Sequence, residues 1–183
     1  MSNARVGSQR IYTGRIFNLD LDQVRFPDGS VGELEMIRHP GASAVLPFLT
    51  DPRGDDPQIL LIKQYRYAAD GYLFEVPAGR LEAGELPIAC ARRELREETG
   101  CEAEALAPLT TLYTTPGFTD ELIHLFMATG VTRGAGATPE ADEFLTVEPM
   151  ALSRALELVR QGEIRDSKTV VSLLYAAGFV AAR

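Results

Sequence analysis

Short stretches in which apolar and polar residues alternate occupy the beginning of the chain. Three of them follow one another between residues 10 and 39, and a turn signal at 27–29 separates the last two. Alternation with a period of two is typical of strands that bury one face. Apolar runs at 43–49 and 58–66 flank a polar loop and predict a buried hairpin. The pattern therefore indicates a small all-β segment followed by buried strands.

Helical periodicity appears in three places further along. The first periodic segment begins near Pro87 and stops before Gly100, and these residue types favour the first turn and the end of a helix. Residues 150–162 predict a second helix, and Asp166 or Ser167 could cap a third. A strand-like stretch at 72–76 precedes the first helix, and three more at 109–114, 122–128 and 144–149 lie between the first helix and the second.

The order of elements predicts an α+β fold in which a mixed β-sheet is sandwiched between helices and follows a small antiparallel β segment. We assign residues 1–40 to the N-terminal segment and residues 41–183 to the main domain. A few short strands cannot stabilise themselves, so the N-terminal segment must pack on a further surface.

Composition and charge narrow the class of protein. The 183 residues are 45% hydrophobic and 24% charged, which is ordinary for a globular domain. No stretch reaches the ~18 apolar residues that a membrane span requires, and the N-terminus has no apolar signal core, so we expect a cytoplasmic protein that does not bind membranes. The formal net charge of −8 disfavours nucleic acid as a partner. A phosphorylated substrate would need a divalent cation to offset that charge.

Three carboxylates share one face of the first predicted helix. At about 100° per residue, Glu97 falls about 60° to one side of Glu94 and Glu98 about 40° to the other. Like charges at this spacing destabilise a helix by a few tenths of a kcal/mol per pair, so an offsetting interaction is expected. Hard oxygen ligands on one face suit Mg²⁺ or Mn²⁺, whereas the alternative is a solvated acidic face. Arg93 lies four residues before Glu97 and can orient it. A neighbouring apolar stripe that can dock the helix on the sheet is formed by Ile88, Ala91 and Leu95.

The segment around this helix resembles the Nudix box, Gly-x5-Glu-x7-Arg-Glu-U-x-Glu-Glu-x-Gly-U, where U is a bulky aliphatic residue. Leu95 fits the first aliphatic position, and Cys101 replaces the last. Seven fixed identities recur by chance about once in 10⁸ windows at average residue frequencies. All seven are present: Gly79, Glu85, Arg93, Glu94, Glu97, Glu98 and Gly100.

From about Arg10 onward the chain resembles the ADP-ribose pyrophosphatase branch of the Nudix hydrolases. Pro116 stands fifteen residues after Cys101 in a Pro-Gly loop, as in that branch, and the segments 64–68, 75–79 and 140–148 add to the likeness. The resemblance implies a Nudix fold that hydrolyses ADP-ribose to AMP and ribose 5-phosphate. It also implies two or three Mg²⁺ ions, with Mn²⁺ as an alternative, and a homodimer whose subunits exchange their N-terminal segments.

The same resemblance assigns roles to the acids. The carbonyl of Ala78 and the carboxylates of Glu94 and Glu98 would ligate the metal ions. Glu97 would be a further ligand or a supporting carboxylate of the catalytic centre. Glu143 would position or deprotonate the attacking water, with Glu140 and Asp142 as alternatives in the same loop.

Substrate contacts are implied at both ends of the chain. Arg66 would contact the diphosphate or the terminal ribose, with Glu75 beside the site. The ribose side would be shaped by Gly117, Phe118 and Glu121. The adenine pocket, which the partner subunit often helps to build, would use Ile16 and Glu35.

Three other functions compete with this interpretation. Another nucleoside diphosphate sugar, such as GDP-mannose or ADP-glucose, would use the same metal site with a different base pocket. A non-catalytic nucleotide-sensing module is disfavoured because the box carboxylates are intact. Hydrolysis of nucleoside triphosphates is disfavoured because it needs neither the N-terminal strands nor the Pro116 loop. The sequence leaves base and sugar preference open.

Overall fold

A computed structural model describes residues 4–134, 136–138 and 144–180, and the chain divides into two compact units. The first unit comprises Met1–Gly41 and Leu112–Ile123, and the second comprises Ala42–Thr111 and His124–Arg183. Within the described residues, no helix is long and apolar enough to cross a membrane.

The first unit contains a three-stranded antiparallel sheet. Its strands are β1 (Arg5–Thr13), β2 (Asn18–Arg25) and β3 (Val31–Arg38), in the order β1-β2-β3. The predicted turn is present between β2 and β3, where Asp28 accepts a hydrogen bond from the Ser30 amide at 2.9 Å. The sheet also holds charges, since the Arg38 guanidinium pairs with Asp20 and Asp22 of β2.

The remaining strands are β4 (Ala42–Pro47), β5 (Gln58–Arg66), β6 (Gly71–Glu75), β7 (Ala78–Arg80), β8 (Cys101–Tyr113), β9 (Leu122–Arg133) and β10 (Leu145–Ala151). Four of them form a sheet in the order β7-β4-β9-β8, and three form a sheet in the order β10-β5-β6. A 3₁₀ turn, Tyr67–Ala69, joins β5 to β6. The helices are α1 (Pro87–Thr99), α2 (Leu152–Arg160) and α3 (Ser167–Phe179).

The predicted hairpin of the two buried runs is wrong, because β4 and β5 belong to different sheets. Only an isolated bridge between Phe48 and Ile59 connects the chain at the end of β4 to β5. The reason lies in the hydrogen bonds of β4, whose two edges pair with β7 and β9. No edge of β4 is left for a ladder with β5.

Helix α1 packs on the core through part of the predicted apolar stripe. Ala91 and Leu95 are fully buried in a cluster with Val45 of β4 and Phe126 of β9. Ile88, which the stripe also included, is 42% exposed in the first turn, so this part of the prediction is wrong. A left-handed glycine (φ 69°) then ends α1, as the sequence predicted for this position.

Candidate active site

The three acids of α1 differ in exposure although they share one turn. Glu94 and Glu98 are buried, whereas the side chain of Glu97 is 31% exposed. Burial of a carboxylate is costly unless the charge is paired or hydrogen-bonded. The surroundings of Glu94 and Glu98 must therefore supply cations or N–H donors.

Arg93 supplies most of the positive charge. Its guanidinium donates two hydrogen bonds to Glu85, at 2.9 and 3.0 Å, and further ones to Glu94 at 2.5 Å and Glu97 at 3.0 Å. The hydrogen bond from Arg93 lowers the pKa of Glu85 to about 2. The pairing of Arg93 with Glu97 that the helical spacing predicted is thus confirmed. Arg93 also binds two acids that the spacing argument did not connect to it.

Strand β7 approaches α1 closely enough to touch both buried acids. The amide of Ala78 donates to Glu98 Oε2 at 3.0 Å. A Cβ atom built on Gly79 would lie 1.9 Å from Glu94 Oε1, which is inside any allowed contact. The backbone at Gly79 therefore passes directly beside this carboxylate, and a side chain at this position would displace the end of the Glu94 side chain.

The donor set fits Mg²⁺ or Mn²⁺, since both ions prefer carboxylate and carbonyl oxygens. The oxygens are not gathered around one point: within residues 4–134, 136–138 and 144–180, no group of three or more His, Cys, Asp or Glu side chains has the spacing of an ion site. Glu94 and Glu97 turn toward Arg93, whereas Glu98 accepts from the Ala78 amide. Ligation of one ion by several of these acids therefore requires side-chain rotation.

A second charged cluster joins β5, β6 and α3. Arg66 donates to both oxygens of Glu75, at 2.7 and 2.8 Å, and Lys168 contacts Glu75 from α3. Burial opposes ionisation of Glu75, but the Arg66 and Lys168 partners hold its pKa below the ordinary value. Sequence reasoning placed Arg66 and Glu75 at the substrate and missed Lys168. The sequence feature that could have identified Lys168 is its position in the first turn of a predicted helix, where the macrodipole disfavours positive charge.

The remaining candidates lie in the first unit. Ile16 is 51% exposed between β1 and β2, and Glu35 is exposed on β3. The Phe118 carbonyl accepts a hydrogen bond from the Ile37 amide at 2.8 Å, while the Phe118 side chain is 50% exposed. No heavy atom lies within 4 Å of a Cβ built on the preceding residue, Gly117.

Glu121 and the loop acids complete the set. Glu121 accepts a hydrogen bond from the Thr114 hydroxyl at 3.0 Å and lies 3.2 Å from His39 Nδ1. The three acids proposed to handle water, Glu143, Glu140 and Asp142, lie outside the described residues.

The sequence profile of the NUDIX domain matches residues 39–172. The chain is 38% identical over 171 residues to a methanol dehydrogenase activator of Bacillus methanolicus, covering 93% of this chain and 90% of the relative. It is 37% identical over 171 residues to the ADP-ribose pyrophosphatase of Bacillus subtilis, with the same two coverages. A GDP-mannose pyrophosphatase of Cronobacter sakazakii is 44% identical over 126 residues, 63% of this chain and 64% of that one.

A solved structure titled as an ADP compounds hydrolase has the same fold. Its TM-score is 0.80 at 19% identity, and the alignment covers 97% of this chain and 94% of the other. The predicted α+β fold is thus confirmed, with the strands distributed over three sheets.

Proposed function

The chain belongs to the Nudix family, and on that premise we propose that it hydrolyses the pyrophosphate bond of ADP-ribose to give AMP and ribose 5-phosphate. The observation that carries the proposal is the contact of β7 with α1, where Gly79 and Ala78 meet the buried carboxylates of Glu94 and Glu98. Relatives of nearly full length include an ADP-ribose pyrophosphatase.

The acids of α1 would hold the cofactor, two or three Mg²⁺ ions with Mn²⁺ as an alternative. Glu94, Glu98 and the Ala78 carbonyl are the proposed ligands, and Glu97 is a further ligand or a support for the catalytic centre. Bound ions would neutralise the charge that develops on the phosphate oxygens and lower the pKa of a water molecule. Arg93 keeps Glu94 and Glu97 on the same side of the helix by bonding to both.

A loop acid would handle the attacking water. Glu143 orients the water and accepts its proton as the oxygen attacks phosphorus, and the bond to the bridging oxygen breaks. Glu140 and Asp142 are the alternatives for this role.

Several further residues are proposed to bind the substrate. Arg66, anchored by Glu75, contacts the diphosphate. We assign Gly117, Phe118 and Glu121 to the ribose side. The adenine would be held by two residues that the second subunit of a homodimer contributes, Ile16 and Glu35.

Exposed apolar side chains of the first unit support the proposal of a homodimer. A second subunit could cover many large apolar side chains of its strands and turns. Those at least 37% exposed are Val6, Ile11, Tyr12, Ile16, Phe17, Phe26, Val31, Leu34, Tyr113 and Phe118. We expect a mass of about twice 20.0 kDa by light scattering, whereas a monomer at micromolar concentration would contradict the shared adenine pocket.

GDP-mannose is the second candidate substrate, because a GDP-mannose pyrophosphatase is 44% identical over part of the chain. The sensing module is disfavoured because the box carboxylates are intact. Hydrolysis of nucleoside triphosphates is disfavoured because it needs neither the N-terminal strands nor the Pro116 loop. The cytoplasmic location and the absence of nucleic-acid partners stay predictions.

A substrate panel tests the function directly. ADP-ribose, GDP-mannose, ADP-glucose and NADH are each incubated with the enzyme and Mg²⁺, and the products are separated by chromatography. We expect AMP and ribose 5-phosphate from ADP-ribose at the highest kcat/KM. Glu98→Gln should abolish turnover and leave the far-ultraviolet circular dichroism unchanged. Faster hydrolysis of GDP-mannose would move the assignment to that substrate, and full activity of Glu98→Gln would refute the metal assignment.

A further inference from the structure

Four charged side chains alternate in sign from β5 to α3. Arg66 pairs with Glu75, Glu75 pairs with Lys168, and Lys168 lies 3.1 Å from Asp166. The Glu75 side chain is 2% exposed and that of Lys168 is 11% exposed, whereas that of Arg66 is 41% exposed. The chain of charges therefore runs from the protein interior to the surface and ends on a guanidinium that a ligand can reach.

Glu75 occupies two of the three nitrogens of that guanidinium. Arg66 donates from Nε and Nη2, and Nη1 makes no hydrogen bond to a described residue. A fork held in this way has little remaining freedom, so the direction of Nη1 is fixed by the position of Glu75. Arginine presents such a rigid group where phosphate oxygens are recognised.

The position of Glu75 depends in turn on α3. Lys168 contacts its Oε2 atom, and the neighbouring Thr169 hydroxyl accepts the Val76 amide at 2.8 Å. Asp166 caps the helix through the Thr169 amide at 3.0 Å and lies beside Lys168. The first turn of α3 thus holds the end of β6 in two ways: Lys168 contacts the Glu75 side chain, and Thr169 binds the backbone amide of Val76.

We propose that Lys168 is a positioning residue of the diphosphate subsite: it holds Glu75 against α3, and Glu75 fixes the direction in which Arg66 meets the substrate. The inference rests on the proposed function in that Arg66 binds the diphosphate. It adds Lys168, which lies 102 positions after Arg66 in the sequence and acts on the substrate only through Glu75 and Arg66. A lysine in the first turn of a helix has an unfavourable interaction with the macrodipole, and the bond to Glu75 offsets it.

Steady-state kinetics of Lys168→Met test the inference, with Lys63→Met as the matched control. The chain contains two lysines, so both variants make the same change of residue and charge. Lys63 lies over the Phe74 ring, 5.5 Å from its centre, and alternation along β5 places it on the face opposite Arg66. We expect Lys168→Met to raise KM for ADP-ribose about tenfold and to change kcat less than about threefold. A tenfold rise corresponds to the loss of one well-placed charge-assisted hydrogen bond.

Two further variants separate positioning from a loss of folding. Lys168→Arg keeps the charge and should return KM to within about threefold of the wild type, which a general packing defect would not do. In a Glu75→Gln background, Lys168→Met should change KM by less than about twofold, because the group through which it acts has already been altered. Removing both charges also avoids leaving one of them buried and unpaired, so the double variant keeps the test available if Lys168→Met unfolds.

The inference is overturned if KM of folded Lys168→Met equals that of the wild type, if Lys63→Met has the same effect, or if the tenfold change persists beside Glu75→Gln. Failure of the proposed function has a different signature, since the wild type would then leave ADP-ribose intact. In that case the variants are compared with the wild type by their KM for GDP-mannose, or by their Kd for inorganic pyrophosphate measured by calorimetry. Each of these compounds contains a diphosphate and should show the same tenfold loss.

Discussion

Replacing Gly79 by alanine adds one methyl group where β7 passes the carboxylate of Glu94. The new Cβ would lie 1.9 Å from Oε1, 2.2 Å from Cδ and 2.7 Å from Oε2 of that side chain. Ordinary contacts at such a position begin at 3.4 Å, so Oε1 must retreat by about 1.5 Å (3.4 minus 1.9). The carboxylate is also bonded to Arg93, which limits the directions in which it can move.

The cost of this displacement should fall mainly on activity. Inserting a methyl group into a packed site costs about 1–3 kcal/mol of stability, which for a chain of this size lowers Tm by roughly 2–4 °C per kcal/mol. A catalytic ligand misplaced by about 1 Å reduces the rate on the order of 10²-fold. We therefore expect a Gly79→Ala enzyme that remains folded at 25 °C and has lost about 100-fold in kcat/KM for ADP-ribose.

The assay compares kcat/KM at saturating Mg²⁺ with the Tm of the same preparations. Gly71→Ala is the matched control, because Gly71 also lies in a strand of the second unit and its added Cβ would have no heavy atom within 4 Å. The control should keep kcat/KM within about threefold of the wild type. The reasoning fails if Gly79→Ala is as active as the wild type, or if Gly71→Ala is equally impaired.

Two further outcomes follow from the described contacts, and a third follows from the proposed role of Glu143. The folded-state pKa of Glu85 is about 2, below its ordinary value of 4.5. The ionised Glu85 therefore stabilises the fold above pH 4.5, and this contribution is lost as the pH falls toward 2. Over this range, Tm should fall less steeply in Glu85→Gln than in the wild type. Thr169→Val leaves the buried Val76 amide without its acceptor and should lower the free energy of unfolding by about 1–3 kcal/mol in urea titrations, whereas Thr169→Ser should not. Glu143→Gln should lower kcat with little change in KM; if Glu140→Gln does so instead, the water is handled by the other acid.

Local signals along the chain were sufficient to predict α1 and its acids. Pro87 and Gly100 fix the ends of the helix, and the i, i+4 spacing predicts the bond between Arg93 and Glu97 that the structure contains. Each of these inferences uses groups within one or a few turns of each other. Such groups are brought together by helix geometry alone, so no knowledge of the tertiary fold is needed.

Contacts between distant segments could not be predicted in this way. The hairpin of β4 and β5 was wrong because a strand with two paired edges has none left for its neighbour in sequence, and only the tertiary fold reveals which edges are paired. The buried pair of Lys168 and Glu75 spans 93 residues. The position of Lys168 in the first turn of a helix indicates that it needs an acidic partner, but it does not identify Glu75 as that partner.

The two kinds of contact have different consequences for the enzyme. Local spacing places the acids of α1 on one face, but the carboxylates of Glu94 and Glu98 also meet residues from outside the helix, Gly79 and Ala78 of β7. The segment that leads into β7 is itself fixed by α3, through Thr169 and the Val76 amide. A chain that retained the box but altered the first turn of α3 should therefore keep its acids and lose their alignment with the residues proposed to bind the substrate. The box supplies the acids, and these long-range contacts align them.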